Sequence, residues 1–307
     1  MPHNHEHGGH DHGHDHTPPN NNAAFAIGVT LNLAFVVAEV VYGLASNSLA
    51  LLSDAGHNMS DVLGLLIAWG AIHIGKSLPT KRRTYGLRRS SILAALTNAV
   101  VLLIVVGGIT WEAVGRFFHP EVVAASTVMW VAAAGVVINT ISALLFMAGR
   151  DKDLNIKGAF MHMAGDAVVS VGVIIIGFGI RATGWHWLDP AMSILIGIVI
   201  VWGTWGLLRE SVNLAMDAVP ASIDPHAVEA YLAGLAGVQA VHDLHIWGMS
   251  TSEVALTAHL VMPQTPTDDT FLHEVIHELH EDFEIGHVTI QIEHGDVECQ
   301  QAPAHVV

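Results

Sequence analysis

Residues Leu49–Gly75 read LALLSDAGHNMSDVLGLLIAWGAIHIG, and this stretch decides what kind of fold the chain can adopt. It is long enough to cross a bilayer, because a membrane helix needs about 20 mostly apolar residues. It nevertheless contains three ionisable side chains in its first half, Asp54, His57 and Asp61. Such groups are costly in lipid, so they normally face the interior of a helix bundle and serve a function. The stretch predicts a membrane helix that presents a polar site.

Five further apolar stretches of similar length occur in the 307-residue chain. The predicted spans are Ala23–Leu44, Leu49–Gly75, Ser91–Arg116, Val123–Met147, Ala159–Ile180 and Leu188–Leu208. Composition agrees with this count, because only 13% of the residues are charged, about half the fraction of a soluble domain. The sequence therefore predicts three parts: a His-rich tail over residues 1–22, a six-helix all-α membrane bundle over 23–208, and a polar domain over 209–307.

The basic residues predict the orientation of these spans. Ten of the 12 Lys and Arg fall in the connections after the second, fourth and sixth spans, and only Arg116 and Arg181 fall on the opposite side. Cytoplasmic loops carry the excess of basic residues in membrane proteins. We therefore expect a multi-pass protein, located in a bacterial cytoplasmic membrane, with both termini in the cytoplasm.

The polar domain alternates between helical and extended patterns. The predicted elements are a helix at Asp224–Ala236, strands at His242–Trp247 and Glu253–Val261, a helix at Asp269–Phe283 and a strand at Val288–Glu293. This order predicts a small α+β layer with helices on one face of a sheet. After Arg209 the chain has no Lys or Arg but 16 of its 28 acids. A nucleic-acid partner is therefore not expected, since phosphate binding needs a cationic face.

The membrane ligands recur with the same spacing on two predicted spans. His57 and Asp61 are four residues apart, as are His162 and Asp166, so each pair lies on one helix face. If the two faces meet, two imidazoles and two carboxylates converge, and such a set suits tetrahedral Zn²⁺ and balances its charge. Ca²⁺ and Mg²⁺ prefer oxygen ligands in larger number. Cd²⁺, Co²⁺ and Ni²⁺ are not distinguished from Zn²⁺ by these ligands.

An alternative function for this site is structural: the four side chains could form hydrogen bonds between helices and only hold the bundle together. Asp54 shares the face of His57 and Asp61, where it would either orient a ligand from behind or bind the metal on its way in. Glu39, in the first predicted span, has no assigned role.

Three segments give the chain a resemblance to a known family: SDAGHNMSD at 53–61, HMAGD at 162–166 and HDLHIW at 242–247. Over nearly its whole length the sequence resembles the cation diffusion facilitator family, in particular its zinc-exporting branch. The resemblance implies a homodimeric antiporter with Zn²⁺ and H⁺ as substrates, a ferredoxin-like cytoplasmic domain and no catalytic cofactor. His57, Asp61, His162 and Asp166 fall on the family's transport-site positions.

The same resemblance implies a metal site in the cytoplasmic domain that favours closure of the dimer, with Zn²⁺ as a regulatory ligand. Its candidate ligands are His242, His259 and Glu293, with His287, His245 and Cys299 as weaker candidates. Gln291 stands where a relative can supply a histidine, and an amide is a poorer ligand. The alternative is a set of surface histidines on a solvated sheet.

Histidines also fill the start of the chain. The tail contains His3, His5, His7, His10, His12, His14 and His16. A tract of this kind, interleaved with acids, can hold metal loosely. We expect it to collect metal for the transporter, and a dispensable solvated tail is the alternative.

Two other functions remain open from the sequence. His273-Glu274-Val275-Ile276-His277 has the spacing of a zinc protease motif, His-Glu-x-x-His. It lies in the polar domain on a short helix rich in acids, where an exposed amphipathic surface is the plainer explanation. A membrane-bound metal sensor without transport is the other possibility. The paired motifs on two spans favour a transporter, and no enzyme activity is expected.

Overall fold

The computed structural model describes residues 22–75, 78–147, 154–264, 269–297 and 299–300, and the seven histidines of the N-terminal tail lie outside these ranges. Six long helices come first in the chain. They are α1 (Asn22–Ser46), α2 (Leu49–Gly75), α3 (Ser90–Phe118), α4 (Ala125–Met147), α5 (Leu154–Thr183) and α6 (Leu188–Ala215). Each predicted span corresponds to one of these helices.

Four segments of these helices, within the described part of the chain, are long and apolar enough to cross a membrane. They are Ser90–Phe118, Ala125–Leu144, Phe160–Thr183 and Leu188–Ala215, and α1 adds a shorter apolar segment, Asn32–Ser46. Large apolar side chains cover their outer surface; Trp111, Trp130 and Trp202 are each more than three-quarters exposed. Water would not solvate such a surface favourably, whereas lipid would. The protein is a multi-pass membrane protein.

Close helix packing brings α2 to the middle of the bundle. α4 lies along α5 and α3 lies along α6, while α2 contacts α1, α3, α5 and α6. Glycines permit two of the closest approaches. A Cβ atom on Gly197 of α6 would lie 2.5 Å from Thr110 Oγ1 of α3, and one on Gly135 of α4 would lie 2.8 Å from Phe35 Cζ of α1. A larger residue at either position would push neighbouring helices apart.

A buried carboxylate joins the beginnings of α2 and α6. Asp189, 1% exposed, accepts hydrogen bonds from the Ser48 hydroxyl at 2.5 Å and from the Leu49 backbone N–H at 2.7 Å. Leu49 is the first residue of α2, so Asp189 satisfies a backbone donor that the helix itself cannot pair and places negative charge at its positive end.

We predict that Asp189→Ala destabilises the protein by about 3 kcal/mol, because two buried donors lose a charged acceptor. The measurement is the thermal unfolding midpoint of the purified protein in detergent. Asp282→Ala, which removes an exposed carboxylate from the polar domain, serves as the control and should change stability by no more than about 0.5 kcal/mol. Equal midpoints for the two variants would show that the Asp189 contacts do not stabilise the bundle.

The polar domain follows in the predicted order α-β-β-α-β. Its elements are α7 (Pro225–Ala233), β1 (Ala240–Gly248), β2 (Val254–Val261), α8 (Thr270–Phe283) and β3 (His287–Glu293). The three strands form a sheet in the order β1-β2-β3. β1 and β2 are antiparallel, and β2 and β3 are parallel with α8 as the connection between them.

Alternation along β2 separates the two faces of this sheet. Val254, Leu256, Ala258 and Leu260 belong to the domain's apolar core, together with Val228 and Leu232 of α7 and Val275 and Leu279 of α8. Since successive side chains on a strand point to opposite faces, His259 lies on the face away from these helices. The sheet therefore has one face for the core and one face on which polar ligands can gather.

Candidate metal-binding sites

The first candidate site lies between α2 and α5, where all four predicted ligands meet. His162 Nε2 lies 3.2 Å from Asp61 Oδ2 and 3.6 Å from Asp166 Oδ2. His57 Nε2 lies 3.5 Å from Asp166 Oδ1 and 3.8 Å from Asp61 Oδ2. The two imidazole rings meet edge to face, with centroids 5.6 Å apart. The predicted juxtaposition of the two helix faces is therefore present in the structure.

These separations fit one ion held between the four side chains. Ligands placed tetrahedrally at about 2.0–2.2 Å from Zn²⁺ lie about 3.3–3.6 Å from one another. His57, Asp61 and His162 form the most compact set, with one ligand atom from each within 4.8 Å of the others. Asp166 lies beside both imidazoles but turns a different oxygen to each. Asp166 therefore lies next to the compact set of three ligands and is not part of it.

Burial and unmet hydrogen-bonding capacity also fit a cation. The Asp166 side chain is only 6% exposed, whereas those of His57, Asp61 and His162 are 26–37% exposed, so the site is open on one side. His57 Nδ1 is buried without a hydrogen-bond partner, and Asp61 Oδ2, also buried, has His162 Nε2 as a neighbour at 3.2 Å but forms no hydrogen bond of good geometry. Buried polar atoms are rarely left without a partner, and a metal ion would satisfy the Asp61 oxygen.

Two further acids lie behind this site. Asp54 and Glu39 are buried, at 2% and 0% exposure, and their carboxyl groups interact with each other. The Asn58 side-chain amide donates to Glu39 Oε2 at 3.0 Å. Asp54 is not part of the compact ligand set. Glu39, which the sequence left without a role, joins α1 to the polar interior of α2.

The second candidate site is on the face of the β1-β2-β3 sheet that points away from α7 and α8. His242 and His259 are paired across β1 and β2, and their rings lie 5.2 Å apart. Glu293 of β3 reaches both imidazoles, at 3.3 Å from His242 Nε2 and 3.0 Å from His259 Nδ1. The Cys299 sulfur lies 3.8 Å from the same His259 nitrogen. One ligand atom from each of these four residues lies within 4.8 Å of the others.

Glu293 is held in the ionised form that a metal needs. Partial burial works against its charge. Hydrogen bonds from the Gln291 amide and from Cys299, together with the imidazoles of His242 and His259, outweigh that effect and hold the pKa of Glu293 below its ordinary value. Two imidazoles, a carboxylate and a thiol form a ligand set that suits Zn²⁺.

Comparison with known proteins identifies the family to which the chain belongs. Residues 25–214 match the model described as the cation efflux transmembrane domain, and residues 220–295 match the cytoplasmic domain of cation efflux proteins. The chain belongs to the cation efflux family. The resemblance to cation diffusion facilitators is thereby confirmed, and the protein is a metal cation efflux transporter.

Relatives in this family match along almost the full length. The cation efflux system protein CzcD of Alcaligenes sp. is 40% identical over 294 residues, covering 95% of this chain and 92% of that protein. The zinc transporter ZitB of Escherichia coli is 37% identical, covering 93% and 92%. A cadmium, cobalt and zinc/H⁺-K⁺ antiporter of Bacillus subtilis is 34% identical, covering 92% of both chains.

Membership of the cation efflux family also shows that the His-Glu-x-x-His motif is not a protease active site, since these proteins are transporters and not enzymes. His273, Glu274 and His277 are exposed on α8. Among the described residues they belong to no group of three convergent ligands. The buried side of α8 is formed instead by Val275 and Leu279.

Two expected ligands of the cytoplasmic domain, His287 and His245, are not among the four residues that converge in this cation efflux protein. His287 pairs with Ala255 at the opposite end of β3 from Glu293, and its ring packs edge to face on Tyr85 at 5.5 Å. His245 is held by Asp243 at 3.0 Å. Cys299, a weaker candidate in the sequence, lies within the cluster instead.

Asp243 also contacts the cytoplasmic cluster, although the sequence did not predict it as a site residue. Its Oδ2 atom lies 3.5 Å from His259 Nε2, so it contacts the ring nitrogen that faces away from Glu293. Simple alternation would place residue 243 on the opposite face from His242. The register shifts between His242 and His245, and Asp243 takes a positive φ of 51°. This bulge turns its carboxylate back toward the cluster.

Proposed function

We propose that this protein is a proton-coupled antiporter that exports Zn²⁺ from the cytoplasm. The observation that supports this function is the convergence of His57, Asp61, His162 and Asp166 between α2 and α5. An ion held there lies inside the membrane bundle. It must leave toward one side or the other, so a helix movement that opens the site to alternate sides would transport it.

Zinc is the favoured cation because of the ligand set. Two imidazoles and two carboxylates suit Zn²⁺ in number and softness, and together they neutralise its charge at membrane depth. Cd²⁺, Co²⁺ and Ni²⁺ accept the same ligands. The names of relatives agree with this breadth, since one is a zinc transporter and another handles cadmium, cobalt and zinc. We propose Asp54 as an acid that supports the ligands from behind.

Proton coupling follows from the same ligands. A metal binds the neutral imidazole and the ionised carboxylate, so protons and Zn²⁺ compete for the site. Metal entering from the cytoplasm displaces protons, and protons entering from outside displace metal. A relative at 34% identity is named as an antiporter that exchanges these metals with H⁺ and K⁺.

We propose six transmembrane helices with both termini in the cytoplasm of a bacterial cell. The α2–α3 connection carries Arg88 and Arg89, which contact Glu253 and Asp217 of the polar domain. The basic connection and that domain therefore lie on the same side of the bundle. The positive-inside rule assigns this side to the cytoplasm. An α-β-β-α-β domain there agrees with a ferredoxin-like dimerisation module, and we propose a homodimer.

The functional test is metal flux. Purified protein in liposomes should accumulate Zn²⁺ under an imposed pH gradient, and a panel of Cd²⁺, Co²⁺ and Ni²⁺ would rank its selectivity. A membrane-bound sensor is the alternative, and the cytoplasmic cluster is the observation in its favour. Zinc binding without flux would identify a sensor and contradict transport.

Deleting residues 2–16 in the same assay tests whether the N-terminal histidines, from His3 to His16, supply metal.

We propose that His242, His259, Glu293 and Cys299 hold a regulatory Zn²⁺ in the cytoplasmic domain. His259→Ala should remove about one bound zinc per chain, because His259 contacts both Glu293 and Cys299. The measurement is zinc stoichiometry by equilibrium dialysis. His273→Ala is the control, since it removes an exposed histidine from the same domain. Equal zinc contents in the two variants would contradict a metal at the cluster.

A further inference from the structure

A cationic cavity lies where the α2–α3 connection meets the cytoplasmic domain. Its volume is about 280 Å³. It is lined by Arg82, Arg83, Thr84, Tyr85, Gly86, Arg88, Arg89, Trp247 and Met249. Four of its nine lining residues are arginines, and none is acidic. The transport mechanism uses none of these side chains.

Only half of this positive charge is neutralised. The Arg88 guanidinium is 2.8 Å from a Glu253 oxygen, and Arg89 is paired with Asp217. Arg82 and Arg83 are exposed, and neither forms an ion pair with any acid in the described part of the chain. Two guanidinium groups therefore remain available for an anion. α3 begins directly after this segment, at Ser90, and the positive end of its dipole adds to the field.

The location of the cavity and the residues that line it are those expected of a binding site for a phosphate ester. The connection runs between two helices of the membrane bundle, which places it at the boundary between lipid and cytoplasm. Aromatic side chains, Tyr85 and Trp247, lie beside the arginines. Arginine binds phosphate through two parallel N–H donors, and juxtamembrane basic groups attract anionic lipids.

The occupant would contact both halves of the molecule. Trp247 belongs to β1, and Met249 belongs to the turn that follows it. Next to the cavity, the Thr251 backbone N–H donates to the Ser91 hydroxyl oxygen at 3.1 Å. An anion between the arginines and β1 would therefore strengthen a junction that the Arg88–Glu253 and Arg89–Asp217 ion pairs already hold.

We propose that this cavity binds a phosphate group, presented by an anionic phospholipid or as free phosphate, and thereby fastens the cytoplasmic domain to the membrane bundle. The variant that tests the proposal is Arg82→Gln/Arg83→Gln. Its matched control, Lys81→Gln/Arg209→Gln, removes the same charge from exposed residues that do not line the cavity.

Two probes distinguish the sources of phosphate. The first is retention of phosphatidylglycerol, counted by native mass spectrometry after reconstitution in mixed phosphatidylglycerol and phosphatidylcholine. The second is titration with inorganic phosphate in metal-free buffer, in phosphatidylcholine alone. We expect the Arg82/Arg83 variant to bind at least one of the probes about tenfold or more weakly than the control does. Loss of the first identifies a lipid, and loss of the second identifies free phosphate.

A conservative variant separates the cavity from its net charge. Arg82→Lys/Arg83→Lys keeps both charges but removes the paired donors, so phosphate binding should remain clearly weaker than in the unmodified protein. If the Gln variant binds both probes as the control does, the proposal is overturned. Full binding by the Lys variant would also overturn it, since charge alone would then account for the affinity.

Discussion

Asp166→Asn is expected to reduce Zn²⁺ transport by more than about 100-fold, since loss of a residue that only supports a ligand already costs 10–100-fold in metal affinity. The Asp166 carboxylate touches both imidazoles of the site and is its most deeply buried acid. An amide in its place keeps the shape but loses the charge that offsets the dication. The measurement is initial zinc flux into proteoliposomes at subsaturating metal.

The matched control is Glu112→Gln, which changes an exposed acid of α3 that pairs with Arg116 on the same helix. This variant should transport zinc at nearly the unmodified rate. Both variants should have the same unfolding midpoint to within a few degrees, because neither substitution changes side-chain volume appreciably. Normal flux through the Asp166→Asn protein would remove the α2–α5 site from the transport path.

The second large effect concerns the driving force. Each proton exchanged per cation should change the steady-state zinc ratio across the membrane by about tenfold per pH unit, because one pH unit is worth 1.36 kcal/mol per proton. The direction follows from competition at the ligands. The more acidic compartment protonates His57 and His162 and so releases metal, and zinc accumulates there.

This effect is measured as zinc accumulated in liposomes with an acidic lumen and a neutral exterior. Dissipating the gradient with an ionophore that exchanges K⁺ for H⁺ should return the zinc ratio to the value set by the other ion gradients. Liposomes that contain the transport-deficient Asp166→Asn protein measure the zinc that crosses the membrane without using the transport site. Accumulation that is unaffected by the pH gradient would exclude proton coupling.

The membrane part of the structure was largely predictable because its signals are local. Spacing of four residues within a helix fixes the face that His57 and Asp61 share, and repetition at His162 and Asp166 indicates that the faces meet. Helix ends were less predictable. α6 was expected to end at Leu208 but continues to Ala215, because polarity marks the end of the apolar span and not the end of the helix.

The cytoplasmic cluster was only partly predictable because it depends on strand register and on a bulge. His287 and Glu293 both lie on β3, but six residues separate them, which is about 20 Å along a strand. One cluster cannot include both. Cys299 follows β3, beyond the alternating pattern, so no periodicity places it. Asp243 needs a backbone irregularity that hydrophobic patterning does not reveal.

The junction between the two halves was also hidden from the sequence. Arg82, Arg83, Arg88 and Arg89 predict orientation through their charge alone. Only the folded chain shows which of them are paired with acids of the distant cytoplasmic domain and which have no acidic partner among the described residues. Contacts between residues separated by more than a hundred positions, such as Arg88 and Glu253, carry no local signature.

Anomalous scattering at the zinc absorption edge, from crystals of the zinc-loaded protein, tests the transport site most directly. We predict a peak between α2 and α5, with a nitrogen of His57 and of His162 and an oxygen of Asp61 and of Asp166 at about 2.0–2.2 Å. A second peak is expected at the cytoplasmic cluster. A zinc-loaded protein with the cytoplasmic peak alone, and no density between these helices, would contradict the transport site.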